Sequence, residues 1–319
     1  MRKKSVAALL IASFFGFPTC CQAAAPIVER MSFDTNVVPT VKPAKIKATL
    51  YLPPISAPVA AMVIISSSGG VLDWIEGYYA RELARNGIAG LVVDSFGSRG
   101  VHNVIQNQSL VTSWDMENDA FAALAVLRKD KRIDPTRIGI MGLSKGASVA
   151  QNAAFTVRQN WRRTGDLAFA IHVAIAPDCA AQHRTAQTTG KPMLYMLAEL
   201  DDYNLAKPCT EYGERIKAAG NPDVALKIYR GAHHNWEYVH AVSLLARAEN
   251  YSKCFAIIED DGEYVMDAGK GPTFMKGADI FAWRRANCMS AGAHVGGGTE
   301  KLKRDATGDL ITFLKEHGF

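Results

Sequence analysis

The sequence predicts a mostly parallel β-sheet covered by helices on both faces, an α/β architecture. Short unbroken apolar runs recur, as at residues 60–66 (AAMVIIS) and 193–197 (MLYML). Stretches with helical spacing separate them, as at residues 78–85 and 116–127, and the two kinds of segment alternate along the chain. Strands buried on both faces read as continuous apolar runs, and helices make the crossovers between parallel neighbours. The length of 319 residues suits one large domain of this class. With 48% hydrophobic and 21% charged residues, a disordered chain is excluded.

The chain opens on Arg2, Lys3 and Lys4, then an apolar stretch at 6–17, then Ala23, Ala24 and Ala25. That order is expected of a secretory signal peptide at residues 1–24, with 25–319 as a single domain. The apolar stretch is short for a membrane span. No stable membrane insertion is therefore expected after signal removal, and the destination is secreted or periplasmic. The formal charge is +5 for the whole chain and +2 without Arg2, Lys3 and Lys4. That is too small to imply a nucleic-acid partner.

Residues 45–52 (KIKATLYL) alternate as a half-buried strand does, and 60–66 read as a strand buried on both faces. Residues 78–85 form a helix with Arg81, Glu82 and Arg85 on its wet side, stopped by Asn86-Gly87. Residues 89–93 are a strand. Residues 116–127 are a helix, with Asp115 and Glu117 near the end that favours anions. Asp134-Pro135-Thr136-Arg137 is a turn, and 138–141 is a short strand running into Gly142. Residues 147–157 are helical and rich in small side chains. Residues 169–175, 193–197 and 224–229 are further strands, and 209–219 and 304–316 are helices.

Residues 243–298 break this rhythm and show no clear strand–helix unit. They are expected to be an insertion before the last helix, a lid or flap. Four cysteines follow the leader: Cys179, Cys209, Cys254 and Cys288. An even number in an oxidising compartment predicts two disulfides, with three possible pairings. The favoured one joins Cys254 to Cys288, both inside the inserted segment, and Cys179 to Cys209.

The run Gly142-Leu143-Ser144-Lys145-Gly146 lies where a strand meets a small-residue helix. A sharp strand-to-helix turn is the setting in which Gly-x-Ser-x-Gly presents a nucleophilic serine. The Lys145 amide opens the helix and points to where an oxyanion would form. A serine hydroxyl needs a base and an orienting acid, here expected in the chain order Ser, acid, His. His234, in the loop after residues 224–229, is the expected base, with His233 as the alternative. Asp201, after residues 193–197, is the expected acid, with Asp202 as the alternative.

These segments together resemble the dienelactone hydrolase family of the α/β-hydrolase fold. The resemblance is carried by Asn118 to Arg128, by Ile133 to Gly146, by Val93-Asp94-Ser-Phe-Gly-Ser-Arg-Gly100, by the acid loop from Ala198 to Cys209, and by Gly231-Ala-His-His-Asn-Trp236. It spans residues 45–240 and the last helix. It implies cleavage of a small-molecule ester through an acyl-enzyme, without metal or cofactor, with Ser144, Asp201 and His234 as the triad. It also implies bridging of Cys179 with Cys209, as in exported members. The family's namesake uses a cysteine nucleophile, so its lactone substrate is not implied for Ser144. Where many members have His-Gly after the third strand, this chain has Ser66-Ser67-Ser68-Gly69-Gly70. An oxyanion amide is implied there, from Ser68 or Gly69, to act with Lys145. The segment 243–298 has no clear counterpart in the family.

Other readings have less support. A peptidase or acyl-peptide hydrolase uses the same triad, but those enzymes usually carry a large extra N-terminal domain. A non-catalytic binding protein on this scaffold would be expected to lose a triad member. His233, Glu237 and His240 have ligand chemistry but no metal-site spacing. Arg99 and Lys145 are candidates for attracting an acidic substrate or are ordinary solvated cations. Tyr203 and Trp236 flank the triad loops as pocket walls or as packing.

Overall fold

The computed structural model describes residues 25–35, 43–275 and 278–319. The expected signal peptide, with Cys20 and Cys21, lies outside the described residues. A central eight-stranded sheet contains β1 (Ile27–Asp34), β2 (Lys45–Leu52), β3 (Val59–Ile65), β4 (Ala89–Asp94), β5 (Ile133–Leu143), β6 (His172–Ile175), β8 (Met193–Ala198) and β9 (Val224–Tyr229). The short strand β7 (Ala181–His183) belongs elsewhere. The order across the sheet is β1-β2-β4-β3-β5-β6-β8-β9. β1 and β2 run antiparallel, and β4 onward is parallel. Together with the solved structure described below, this is the α/β-hydrolase fold.

Alternation along the strands builds two cores. Val63 and Ile65 point to one face with Val93 and Ile140, where α2 (Ser113–Leu127) packs. Met62 and Ile64 point to the other with Val92 and Met141, under α1 (Tyr78–Arg85) and the last helix. A strand's side chains alternate between faces, so β3 must be apolar at every position, and every residue of it is buried. The chain leaves β3 toward β4 on one side and β5 on the other. Open α/β sheets bind ligands at the carboxyl ends of strands that flank such a reversal.

Several elements differ from their sequence expectation. The expected helix over 147–157 is two helices, α3 (Lys145–Asn152) and α4 (Thr156–Arg162). Phe155 between them is extended, bridges Thr188, and buries its ring against Tyr212 at 5.5 Å. The expected turn at Asp134 is a kink inside β5, where Asp134 Oδ1 accepts from Thr136 N at 2.9 Å. The β3–β5 register shifts between Val59 and Ala61 at the same place. β1 was not expected: its faces are mostly exposed, and pairing with β2 along eight positions makes it a strand.

Residues 243–298 are folded. β10 (Ala256–Ile258), β11 (Glu263–Val265) and β12 (Thr273–Met275) form a small sheet that adds to β7 in the order β12-β11-β10-β7. Helix α6 (Ala278–Asn287) follows, after α5 (Ala206–Ala218) of the main body, and α7 (Glu300–Glu316) closes the chain. Residues 243–244 pair with 294–295, and 249–250 with 290–291, so the segment leaves and returns at one place. Disulfides join Cys179 to Cys209 and Cys254 to Cys288.

The Cys254–Cys288 link closes a loop of 34 residues around α6. Replacing both cysteines by alanine is expected to cost roughly 2–4 kcal/mol of stability, read from the urea midpoint of the oxidised protein. An unchanged midpoint would mean that α6 is held by its packing alone.

Candidate active site

Ser144 sits between β5 and α3 with φ 53° and ψ −115°, a conformation that costs a non-glycine residue strain. Its amide donates to Ile175 O at 2.8 Å, which ties the turn to β6. The two flanking glycines are needed for space. A Cβ on Gly142 would lie 2.1 Å from Gly146 O, and one on Gly146 would lie 2.2 Å from Ile65 O. Helix α3 can therefore start directly against the ends of β3 and β5.

The loops after β8 and β9 bring two more side chains to the serine. His234 Nε2 lies 2.9 Å from Ser144 Oγ, and its Nδ1 lies 2.7 Å from Asp201 Oδ2. Asp201 Oδ1 accepts from the amides of Tyr203 and Asn204, both at 2.8 Å. Leu200 N donates to Ala232 O at 2.8 Å, joining the acid loop to the histidine loop. From the inserted segment, Gly296 N donates to His234 O at 2.9 Å. All three side chains are buried. Burial pulls the His234 pKa down, but the Asp201 carboxylate outweighs it, and the net shift is above the ordinary 6.5.

The alternatives face elsewhere. Asp202 is half exposed and pairs with His294, its Oδ2 2.7 Å from His294 Nδ1. His233 points toward His294, their rings 6.5 Å apart. Arg99 makes a bidentate pair with buried Asp119 at 2.7 and 2.9 Å and does not line the pocket. Tyr203 lines the pocket and packs its ring on His234 at 5.0 Å. Trp236 is packed fully inside against Tyr229. Glu237, from the unsupported metal reading, is buried and accepts from Tyr79 OH at 2.8 Å.

Of the expected oxyanion donors, Lys145 and Ser68 line the same cavity as Ser144. The Lys145 amide begins α3, where N–H groups have no intrahelical acceptor. Gly69 is a correction: its amide is engaged by Ser67 Oγ at 3.2 Å, and it does not line the cavity. Two residues that sequence reasoning missed hold this loop. Buried Glu76 accepts from Ser67 N at 3.2 Å and Leu72 N at 2.8 Å. Burial pushes its carboxyl up to about 7. Gln108 Nε2 donates to Ser68 Oγ at 2.9 Å, and its Oε1 accepts from Lys145 Nζ at 3.0 Å. Burial pushes the Lys145 ammonium down to about 7. Neither residue has a local signal, because Glu76 precedes a helix that looks ordinary and Gln108 lies in a long loop.

The cavity measures about 410 Å³, within the range of small-molecule sites. The main body contributes Ser144, Lys145 and Tyr203, and the segment 243–298 contributes Glu249, Phe281 and Arg284. Among the described residues, no group of three or more His, Cys, Asp and Glu side chains is placed to hold a metal ion.

The model of the dienelactone hydrolase family matches residues 46–250, more than half of the chain. An uncharacterized protein of Escherichia coli K12, YcjY, is 29% identical over 137 residues, which are 41% of this chain and 42% of that protein. The chain thus matches less than half the length of that curated relative. A crystal structure from Klebsiella pneumoniae, provisionally named a dienelactone hydrolase, is similar with a TM-score of 0.51 and 14% identity. It covers 65% of this chain and 88% of that one. A thermophilic esterase of Thermogutta terrifontis, Est2, has a TM-score of 0.48 and 18% identity, over 65% of this chain and 83% of that one.

The Asp201 contact predicts that the His234 ring titrates above 6.5 in a histidine-selective NMR titration. Asp201→Asn should move that value down, and Asp202→Asn should leave it nearly in place. The opposite pattern would transfer the orienting role to Asp202.

Proposed function

The chain belongs to the dienelactone hydrolase family, a hydrolase family on the α/β-hydrolase fold, and on that premise we propose that it cleaves carboxylic esters through an acyl-enzyme on Ser144. The observation that carries this reading is the bridge made by His234 between Ser144 Oγ at 2.9 Å and Asp201 at 2.7 Å. Such a bridge lets an imidazole take the serine proton while the carboxylate stabilises the cation that forms.

In the proposed reaction Ser144 Oγ attacks the ester carbonyl as His234 Nε2 accepts its proton. The carbonyl oxygen takes the negative charge and is met by the Lys145 and Ser68 amides. The tetrahedral adduct collapses, His234 returns the proton to the departing alkoxide, and the alcohol leaves. Water then attacks the acyl group, giving its proton to His234, and the acid is released with Ser144 restored. Asp201 keeps Nδ1–H in place throughout, held by its two backbone donors.

The domain reading is likewise a proposal. Residues 25–319 act as one domain, with 243–298 as a cap over the cavity. Two disulfides support an exported protein, secreted or periplasmic, because such bonds persist in oxidising compartments. N-terminal sequencing of the mature protein should find a start after Ala23 or Ala24.

A fluorophosphonate probe should label the protein at Ser144, and Ser144→Ala should remove the label and lower kcat for 4-nitrophenyl esters by several powers of ten. No labelling of folded wild-type protein would favour a binding protein over an enzyme. Hydrolysis of aminoacyl amides in preference to esters would move the reading to a peptidase. The base must be neutral to accept a proton. Since Asp201 raises the His234 pKa, kcat/KM should fall with decreasing pH through a midpoint above 6.5.

A further inference from the structure

Gln108 stands between three parts of the proposed site, and each of its polar atoms is engaged. Its N–H donates to Glu249 Oε2 at 2.7 Å, in the inserted segment. Its C=O and its Oε1 both accept from Lys145 Nζ, at 2.8 and 3.0 Å. Its Nε2 donates to Ser68 Oγ at 2.9 Å, and the Ser68 hydroxyl lies 3.1 Å from Oε1. Nε2 also lies 3.4 Å from the hydroxyl of Tyr203, whose ring packs on His234. In the same loop, Val104 N donates to Ser68 O at 2.9 Å, so Ser68 is held by its carbonyl and its side chain together. The Ser68 N–H shares a rigid peptide plane with Ser67 O, which accepts from Gly70 N at 3.1 Å. The direction of that N–H is therefore set by contacts on both sides of it.

What orients Gln108 is the Lys145 ammonium. A side-chain amide can turn over and exchange its oxygen for its nitrogen, but an ammonium has donors only. Oε1 must face Nζ, which leaves Nε2 for Ser68 and Tyr203. Lys145 is buried, both of its acceptors belong to Gln108, and among the described residues no carboxylate forms an ion pair with it. The acids whose charge it feels are Asp115, near the start of α2, and Glu249, and both are occupied by other donors. Asp178, Arg158 and Arg284 also line the cavity, as does Tyr203, whose hydroxyl burial pushes up to about 12. Burial outweighs the two acids, so the ammonium gives up its proton at about 7. A neutral amine makes weaker bonds to the two oxygens and can itself accept, so the Gln108 amide is then free to turn.

We propose that the side chains of Lys145 and Gln108 are a positioning unit for the oxyanion site: the ammonium fixes the Gln108 amide, and Gln108 fixes Ser68, whose N–H meets the carbonyl oxygen as it becomes charged. This rests on the ester-hydrolase reading above, with Ser68 as a donor. The unit acts on the transition state, because the oxygen carries its charge only there. Losing the charge at Nζ lowers turnover and leaves substrate binding nearly unchanged. The sense of this pH effect is opposite to that of two other groups that titrate near neutrality. Glu76, which accepts from Ser67 N, and His234 both lose their function as pH falls. Lys145 loses its function as pH rises.

The test follows kcat and KM for 4-nitrophenyl acetate from about pH 5 to about pH 9. Wild-type kcat should fall on the alkaline side with a midpoint nearer 7 than the 10.5 usual for lysine. Lys145→Met should lower kcat at neutral pH by about 10–100-fold, move KM by less than about threefold, and abolish the alkaline fall. Gln108→Leu should do the same, and the double variant should be no worse than either single one, as for residues that act as one unit. Lys145→Arg keeps its charge throughout this range and should restore part of kcat without the alkaline fall. An aryl trifluoromethyl ketone, which forms an oxyanion on Ser144 with no leaving group, should lose affinity by about the factor that kcat loses. A wild-type kcat that stays level on the alkaline side, losses in KM rather than kcat, or additive effects in the double variant would overturn the positioning unit while leaving the esterase reading intact. Absence of ester cleavage and of fluorophosphonate labelling in the wild-type protein would overturn both. Should Lys145→Met or Gln108→Leu fail to fold, the wild-type profile and the Lys145→Arg protein decide.

Discussion

Everything in the site depends on how closely α3 approaches the ends of β3 and β5. Gly146 sits where any side chain would collide with Ile65 O, and Gly142 where one would collide with Gly146 O. That contact forces the chain through φ 53° at Ser144, a strain on the order of 1–3 kcal/mol that the surrounding packing must hold. The packing is available because α3 turns Ala147, Val149 and Ala150 into the core, where small side chains let a helix lie close to a sheet. The strained turn lifts the hydroxyl out of the sheet plane, where loops after β8 and β9 can reach it. Had α3 begun a turn later, Asp201 and His234 would have nothing to meet.

The second constraint is the roof. Part of the cavity wall comes from residues 243–298, and that segment is braced at several points. Cys254–Cys288 fixes α6, and Arg285 ties it to Glu249, whose other oxygen accepts from Gln108 N at 2.7 Å. Gln108 in turn holds Ser68 and Lys145. Gly296 holds the histidine loop from the other end of the segment. The roof therefore reaches both the proposed oxyanion donors and the proposed base through hydrogen bonds.

Much of this was legible in the chain. Continuous apolar runs marked β3, β4, β8 and β9, because strands covered on both faces have no polar side. The glycines around Ser144 marked the turn, since only glycine fits such an approach. The order of Ser144, Asp201 and His234 followed from placing loops at strand ends. The misses have physical causes. β1 has little buried surface and is made a strand by its partner. Phe155 breaks a helical stretch because its ring finds a better place against Tyr212. Gly69 was a candidate donor through the resemblance of its loop to the family's, yet its amide is taken by Ser67 Oγ.

The sequence by itself determined the sheet, the elbow and the chemical types that converge on it, because periodicity and glycine placement act over a few residues. The resemblance already favoured Asp201 over Asp202 and His234 over His233, and the tertiary structure adds the contacts each makes, since neighbours in sequence differ there only in direction. Only the tertiary structure found Glu76 and Gln108. Each acts on residues distant in the chain, and the burial that gives each its character comes from elements the local sequence does not contain.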